Sequence, residues 1–215
     1  SLSPSSPGAQ AALDLYVLDA DTGQIVLAAT SFNLVTGDPL EFDGADMDSG
    51  DYRVVVRHAD GVFPSEVKVF FDGPVTLTDS YGGNRSTIYG HPAAGGAITV
   101  GAADFRETPA FGANPAGIED FSSLGPVTIL FDDDGNRLPA PEIRQVPVLV
   151  APDANTTTVK DFAPFFGTSA AAPHAAALAA LLLDYDNTVS PSQPVALMEA
   201  TAINMDVPGF DTNTG

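Results

Sequence analysis

Between Leu13 and Leu77 apolar positions recur at every second residue in short runs, which is the spacing of strands and not of helices. Leu13, Leu15 and Val17 share one face of the first run. The turn Asp21-Thr22-Gly23 leads into Gln24-Ile25-Val26-Leu27. Tyr52-Arg53-Val54-Val55-Val56 and Val67-Lys68-Val69-Phe70-Phe71 follow. Turn residues at these intervals predict a small antiparallel β-sandwich over residues 11–80, preceded by a Ser/Pro-rich flexible lead-in over 1–10.

The pattern changes after Gly82-Gly83. Ala97-Ile98-Thr99-Val100, Val127 to Phe131 and Val146 to Val150 are compact apolar runs between loops, as expected of strands covered on both faces. Ser169 to Leu183 is rich in Ala and Leu and predicts a buried helix. A further helix is predicted to about Ala202; Ser190 and Gln193 have capping-box spacing, with Pro191 at the first helical position. Late helices after buried strands make residues 81–215 part of an α/β domain.

Charge narrows the partners. The 215 residues carry 28 Asp+Glu against 8 Lys+Arg, a formal net charge of −20. Such a surface repels phosphate backbones and anionic lipid, so neither nucleic acid nor a membrane is an expected partner. It suits a saline or extracellular setting, where counterions screen the self-repulsion. Clustered carboxylates also leave a structural Ca²⁺ open, with no ligand set fixed by the sequence. Asp132-Asp133-Asp134-Gly135-Asn136 lacks the full spacing and terminal Glu of an EF-hand loop, and an acidic hairpin turn is expected there. Without cysteine there is neither a disulfide nor a thiolate nucleophile. No apolar run is long enough to span a bilayer and no signal peptide is visible; the chain reads as a segment of a longer polypeptide.

The chemistry is concentrated in Phe166-Gly167-Thr168-Ser169-Ala170-Ala171-Ala172-Pro173-His174. Gly167 lets the backbone turn tightly into the helix. Ser169 then sits near the helix amino terminus, where unpaired N–H groups and the positive dipole end favour developing negative charge. Small alanines keep the approach to the hydroxyl open. Pro173 lacks an N–H, which leaves a carbonyl near Ser169 without a helical bond. An ordinary serine-capped helix would share several of these features, but not the whole string.

Gly-Thr-Ser-x-Ala-x-Pro-His opening an Ala-rich helix resembles the serine motif of the subtilisin-like serine peptidases. The likeness runs from Ile88 to Gly215. Ser86-Thr87-Ile88 up to His91-Pro92, then Ala97 to Ala102, look like the family's substrate-pocket loop and a core strand. Phe121-Ser122-Ser123-Leu124-Gly125-Pro126 and Ala196-Leu197-Met198 through Thr201-Ala202 are similar to later segments. Val150-Ala151-Pro152 resembles the family's Ala-Pro-Gly turn, with Asp153 in place of the glycine. The resemblance implies that Ser169 is the nucleophile, supported by Gly167 and Thr168, with its own amide as an oxyanion donor. It implies a pocket border at Tyr89, Gly90 and His91, a polypeptide substrate, and no organic cofactor.

A serine hydroxyl needs a base, and the base an orienting acid. His174 lies five positions beyond Ser169 on the same helix, turned about 140° away. His91 precedes a proline in the pocket loop, and His58 ends a strand and is expected to be exposed. Leu18-Asp19-Ala20-Asp21-Thr22-Gly23 superficially resembles the family's aspartate motif, but strands flank it at hairpin spacing. Asn84 is the one local candidate for a side-chain oxyanion donor, and a turn role is expected for it. The sequence therefore points to part of a secreted endopeptidase, inactive in isolation, whose base and acid lie upstream in the same polypeptide. The β-sandwich reads as an insertion. The alternative is a non-catalytic surface- or matrix-binding protein with a degenerate peptidase fold.

Overall fold

A computed structural model of the chain describes residues 9–64, 67–71, 75–78, 86–134, 136–186, 188 and 190–215. They form a mixed α/β molecule of two compact units, Ser1–Val69 with Leu130–Pro141, and Phe70–Ile129 with Glu142–Gly215. No helix among the described residues is long and apolar enough to cross a membrane.

In the first unit, β1 (Ala11–Asp19) and β2 (Ile25–Ala29) form the expected antiparallel hairpin. Gly23 takes φ +71° at its tip. Asp19 Oδ1 accepts the Thr22 N–H and hydroxyl, both at 2.7 Å, and the Asp21 N–H at 3.1 Å. These donors, those of Thr22 foremost, hold its carboxyl below the usual range. Asp19 is thus committed to its own turn. β3 (Tyr52–Gly61) pairs with the other edge of β1, giving the order β2-β1-β3.

The sandwich expected over residues 11–80 is not seen among the described residues of that stretch, whose strands form this one three-stranded sheet. Val67–Phe71 enters no strand, and the division between the units falls within it. Val67, Val69, Phe70 and Phe71 all remain exposed, as do Val54, Val55 and Val56 of β3. An alternating pattern becomes a sandwich only if a second layer covers its apolar face.

The sheet is tied together by polar side chains. Asn33 opens the one-turn helix α1 (Asn33–Thr36) and is 2% exposed. Its Oδ1 accepts the Leu13 N–H at 2.9 Å, and its Nδ2 donates to the carbonyls of Asp38 (3.0 Å) and Leu40 (3.3 Å). Buried Asp14 accepts Arg57 Nε at 2.7 Å and the Tyr16 hydroxyl at 3.0 Å. His58, expected to be exposed, is half-buried against Phe63, and its Nε2 has no partner among the described residues.

In the second unit, β4 (Val100–Asp104) and β7 (Leu149–Asp153) pair in parallel, from Val100 opposite Leu149 to Asp104 opposite Asp153. Both begin about three residues later than the apolar runs that predicted them. α2 (Thr168–Tyr185) packs on this pair. The core between them is built of small residues: Ala102, Ala151, Ala171 and Ala175, with Leu149 and Met198. Alanine lets the helix axis approach the strands closely, and Ala102 and Ala171 lose all solvent exposure.

α2 was expected to be buried throughout, but only one face is. Ala170, Ala171 and Ala175 are buried, whereas Leu178, Leu181 and Tyr185 are exposed. The cause is geometric, since a two-stranded sheet covers one side of the helix. α3 (Gln193–Thr201) starts later than expected: Ser192 holds the N-cap position, Pro194 sits in the first turn, and Pro191 lies before the helix, so only one bond of the expected capping box is present. Gln193 Oε1 accepts the Ser190 N–H at 2.5 Å, while the Ser190 hydroxyl turns to Ser192 Oγ at 3.0 Å.

The hairpin of β5 (Val127–Phe131) and β6 (Arg137–Arg144) has the acidic turn expected of it. Asp132 Oδ1 accepts the N–H groups of Asp134 (3.0 Å) and Asn136 (2.7 Å); Gly135 lies outside the described residues.

Candidate functional site

The carboxyl ends of β4 and β7 bring Asp104 and Asp153 side by side, and the chain leaves β7 through a loop that returns as α2. Ala154 is buried at φ +58°, a left-handed conformation unfavourable for a residue with a Cβ. Asn155 and Phe165 then close the loop's neck, the Phe165 N–H donating to the Asn155 carbonyl at 2.8 Å. Loop side chains Val159, Phe162 and Phe166 stay exposed.

Gly167 enters the helix at φ +116° and ψ 158°. A Cβ there would meet only the backbone and Cβ of Ser169, so the dihedral, and not space, calls for glycine. Its N–H donates to Asp153 Oδ2 at 2.7 Å. Its carbonyl accepts the N–H groups of Ala170 (2.8 Å) and Ala171 (3.2 Å). α2 has no side-chain cap, and Pro173 lies inside it, as the sequence indicated.

Ser169 occupies the second position of α2 and is exposed, while Ala170 and Ala171 beside it are buried. Among the described residues, neither its hydroxyl nor its N–H has a hydrogen-bond partner. A hydroxyl and open amides at a helix amino terminus can attack a carbonyl carbon and hold the resulting oxyanion.

No described hydrogen bond joins Ser169 to a histidine. His174 donates from Nδ1 to its own helix at the Ala170 carbonyl (2.7 Å), consistent with its expected orientation away from the hydroxyl. His91 is exposed in a 3₁₀ turn, His91–Ala93. Gly90 precedes that turn at φ +67°, and Tyr89, 61% exposed, stacks on Phe70 at 4.1 Å between ring centroids.

The segment containing Tyr89, Gly90 and His91 is anchored from behind. Thr87 Oγ1 accepts the Leu124 N–H at 2.8 Å, and the Ile88 N–H donates to the Leu124 carbonyl at 3.3 Å. Ile88 is buried with Ala93, Val127 and Val146. Arg144 Nη1 and Thr99 Oγ1 donate to the carbonyls of Ala93 (2.6 Å) and Pro92 (2.5 Å). At Gly125 a Cβ would collide with the Val146 carbonyl, so the glycine permits close backbone approach. Asn84 lies outside the described residues.

Negative charge gathers at the strand ends. Burial, followed by the charges of Asp153, Asp104, Glu107 and Asp120, pushes the Glu119 carboxyl above its ordinary range. Asp104 moves the other way, its carboxylate held ionised chiefly by the Arg106 side chain. Among the described residues no three acidic or histidine side chains form a metal site.

Sequence reasoning missed Asp153 as a contributor to this geometry; the available signal was its departure from glycine after Ala151-Pro152.

Comparison with known proteins agrees with the motif. A family model described as "Subtilase family" matches residues 75–215. No curated protein sequence and no solved structure matches the chain.

Proposed function

The chain belongs to the subtilase family, whose members are subtilisin-like serine peptidases, and on that premise we propose that it is part of a secreted endopeptidase acting through an acyl-enzyme on Ser169. The observation that carries this reading is the exposed Ser169 hydroxyl at an uncapped helix start, with its own N–H open. Attack by Ser169 Oγ on a peptide carbonyl forms the C–O bond while a base removes the hydroxyl proton. Collapse of the tetrahedral intermediate expels the amine, which takes up that proton, and water then releases the acyl group. The Ser169 N–H faces the developing oxyanion, with Gly167 and Thr168 shaping the approach. Tyr89, Gly90 and His91 border the pocket for a substrate side chain. No organic cofactor is required, and a structural Ca²⁺ remains compatible with the acidic surface.

The base and its acid come from upstream in the same polypeptide. Two features support this. The three histidines of this chain lack the family's His-Gly-Thr setting, and α2 presents Leu178, Leu181 and Tyr185 uncovered beside a two-stranded parallel sheet. Parallel sheets are normally larger and covered on both faces. On this reading, residues 81–215 are the carboxy-terminal part of a subtilisin-like domain, and residues 11–80 are a stable insertion. The acidic surface suits an extracellular location.

A fluorophosphonate probe tests the proposal. The full-length polypeptide is expected to be labelled at Ser169, the 215-residue chain to remain unlabelled, and Ser169→Ala to abolish the signal. Efficient labelling of the shorter chain would overturn its predicted inactivity. An unlabelled full-length protein would sink the catalytic reading in favour of a degenerate, binding-only fold.

A further inference from the structure

We infer that Asp153 is a positioning residue for the nucleophile, clamping the entrance of α2 through the Gly167 amide; the inference rests on the reading of Ser169 above. Asp153 ends β7, where parallel pairing fixes its backbone opposite Asp104. Its side chain has no solvent exposure. One carboxylate oxygen accepts the Gly167 N–H at 2.7 Å, and the other is buried without a partner among the described residues.

A group that only filled space here would be better apolar, because a sealed carboxylate with one unsatisfied oxygen destabilises the fold. The neighbouring geometry is costly as well. Ala154 is held left-handed immediately after Asp153. Such strain persists only where surrounding bonds over-determine it. Those bonds are visible: the Asn155–Phe165 bridge closes the neck, and Asp153 to Gly167 forms the next rung toward the helix.

Gly167 is consequently held at both ends, its N–H by Asp153 and its carbonyl by the first two bonded amides of α2. Ser169 follows two residues later. Since α2 lacks a side-chain cap of its own, a carboxylate from a distant strand sets the helix entrance.

Amide hydrogen exchange in the full-length protein tests the clamp without relying on activity. In wild type, the Gly167 N–H should exchange at least about tenfold slower than an unstructured amide, since Asp153 is its acceptor. Asp153→Leu keeps the approximate shape without the acceptor. It should accelerate exchange of Gly167 and the first-turn amides about tenfold relative to β4. Asp153→Asn, which retains an acceptor oxygen, should stay within about threefold of wild type. Labelling of Ser169 should follow the same order. An unprotected Gly167 in wild type overturns the inference, as does Asp153→Leu behaving like wild type or Asp153→Asn behaving like Asp153→Leu. If Asp153→Leu does not fold, Asp153→Ala takes its place under the same criteria, and the wild-type measurement stands alone. A wild type that is not labelled but keeps Gly167 protected would instead sink the peptidase reading and leave the clamp intact.

Discussion

The two units solve the problem of holding strands together in opposite ways. In the first, β1 is fixed by polar side chains: Asn33 makes three bonds to backbone groups, and Asp14 is satisfied by Arg57 and Tyr16. In the second, alanines at 102, 151, 171 and 175 bring α2 onto β4 and β7. The Val-rich surface of the first sheet stays exposed. Alanine contacts leave little room for repacking, because a methyl group has no rotamer with which to adjust. Ser169 belongs to the unit built on those alanine contacts.

That contrast can be broken most forcefully at Ala171. Ala171→Leu adds three carbons at a site with no free volume and should cost about 3 kcal/mol, measured by urea unfolding with exchange of α2 and β4 amides. A tolerated leucine would show that the interface can adjust after all. Asn33→Ala tests the other unit. It leaves the Leu13 N–H without its acceptor and should cost about 2 kcal/mol, read as faster exchange across β1 and β3. Retained protection there would deny the polar network its role.

A smaller effect is expected at α3. Gln193→Ala removes the acceptor of the Ser190 N–H and should cost about 0.5 kcal/mol in thermal or urea unfolding. Ser190→Ala should cost less, because its hydroxyl bonds Ser192 and not a helical N–H. Equal losses would mean that the full capping box forms in solution.

The smallest effect concerns Glu119, whose carboxyl is raised in the folded state. A raised carboxyl binds its proton more tightly when folded. Its contribution is therefore favourable below the ordinary carboxyl range and is lost as pH rises through the folded value. Glu119→Gln should thus stabilise slightly at neutral pH, by about 1 °C in Tm, with the gain vanishing toward acid pH. A gain that grew on acidification would reverse the sign and refute the assignment.

Much of the candidate site was legible in the residues themselves. Gly167-Thr168-Ser169 before an Ala-rich stretch could be recognised as a tight turn into a helix, and the structure puts Ser169 at the second helical position. The Asp19 turn was equally readable, since an Asx-type turn is local chemistry. Strand limits were less so. The runs at Ala97 and Val146 were apolar, yet pairing starts at Val100 and Leu149. Hydrophobicity marks what is covered, whereas hydrogen bonding depends on which neighbour arrives and in what register.

By itself the sequence determined the features set by neighbours within a few positions. These are the hairpin at Asp19, the helix after Gly167, the proline inside it and the serine at its start, together with a family pattern that no other local arrangement would imitate. Tertiary structure alone decided that Val67–Phe71 joins no sheet, that α2 is covered on one side only, and that the Asp153 carboxylate meets the Gly167 amide. Burial and long-range hydrogen bonds are properties of pairs far apart in the chain. Asp153 and Gly167 stand fourteen residues apart, and only the strained return of the loop makes them neighbours.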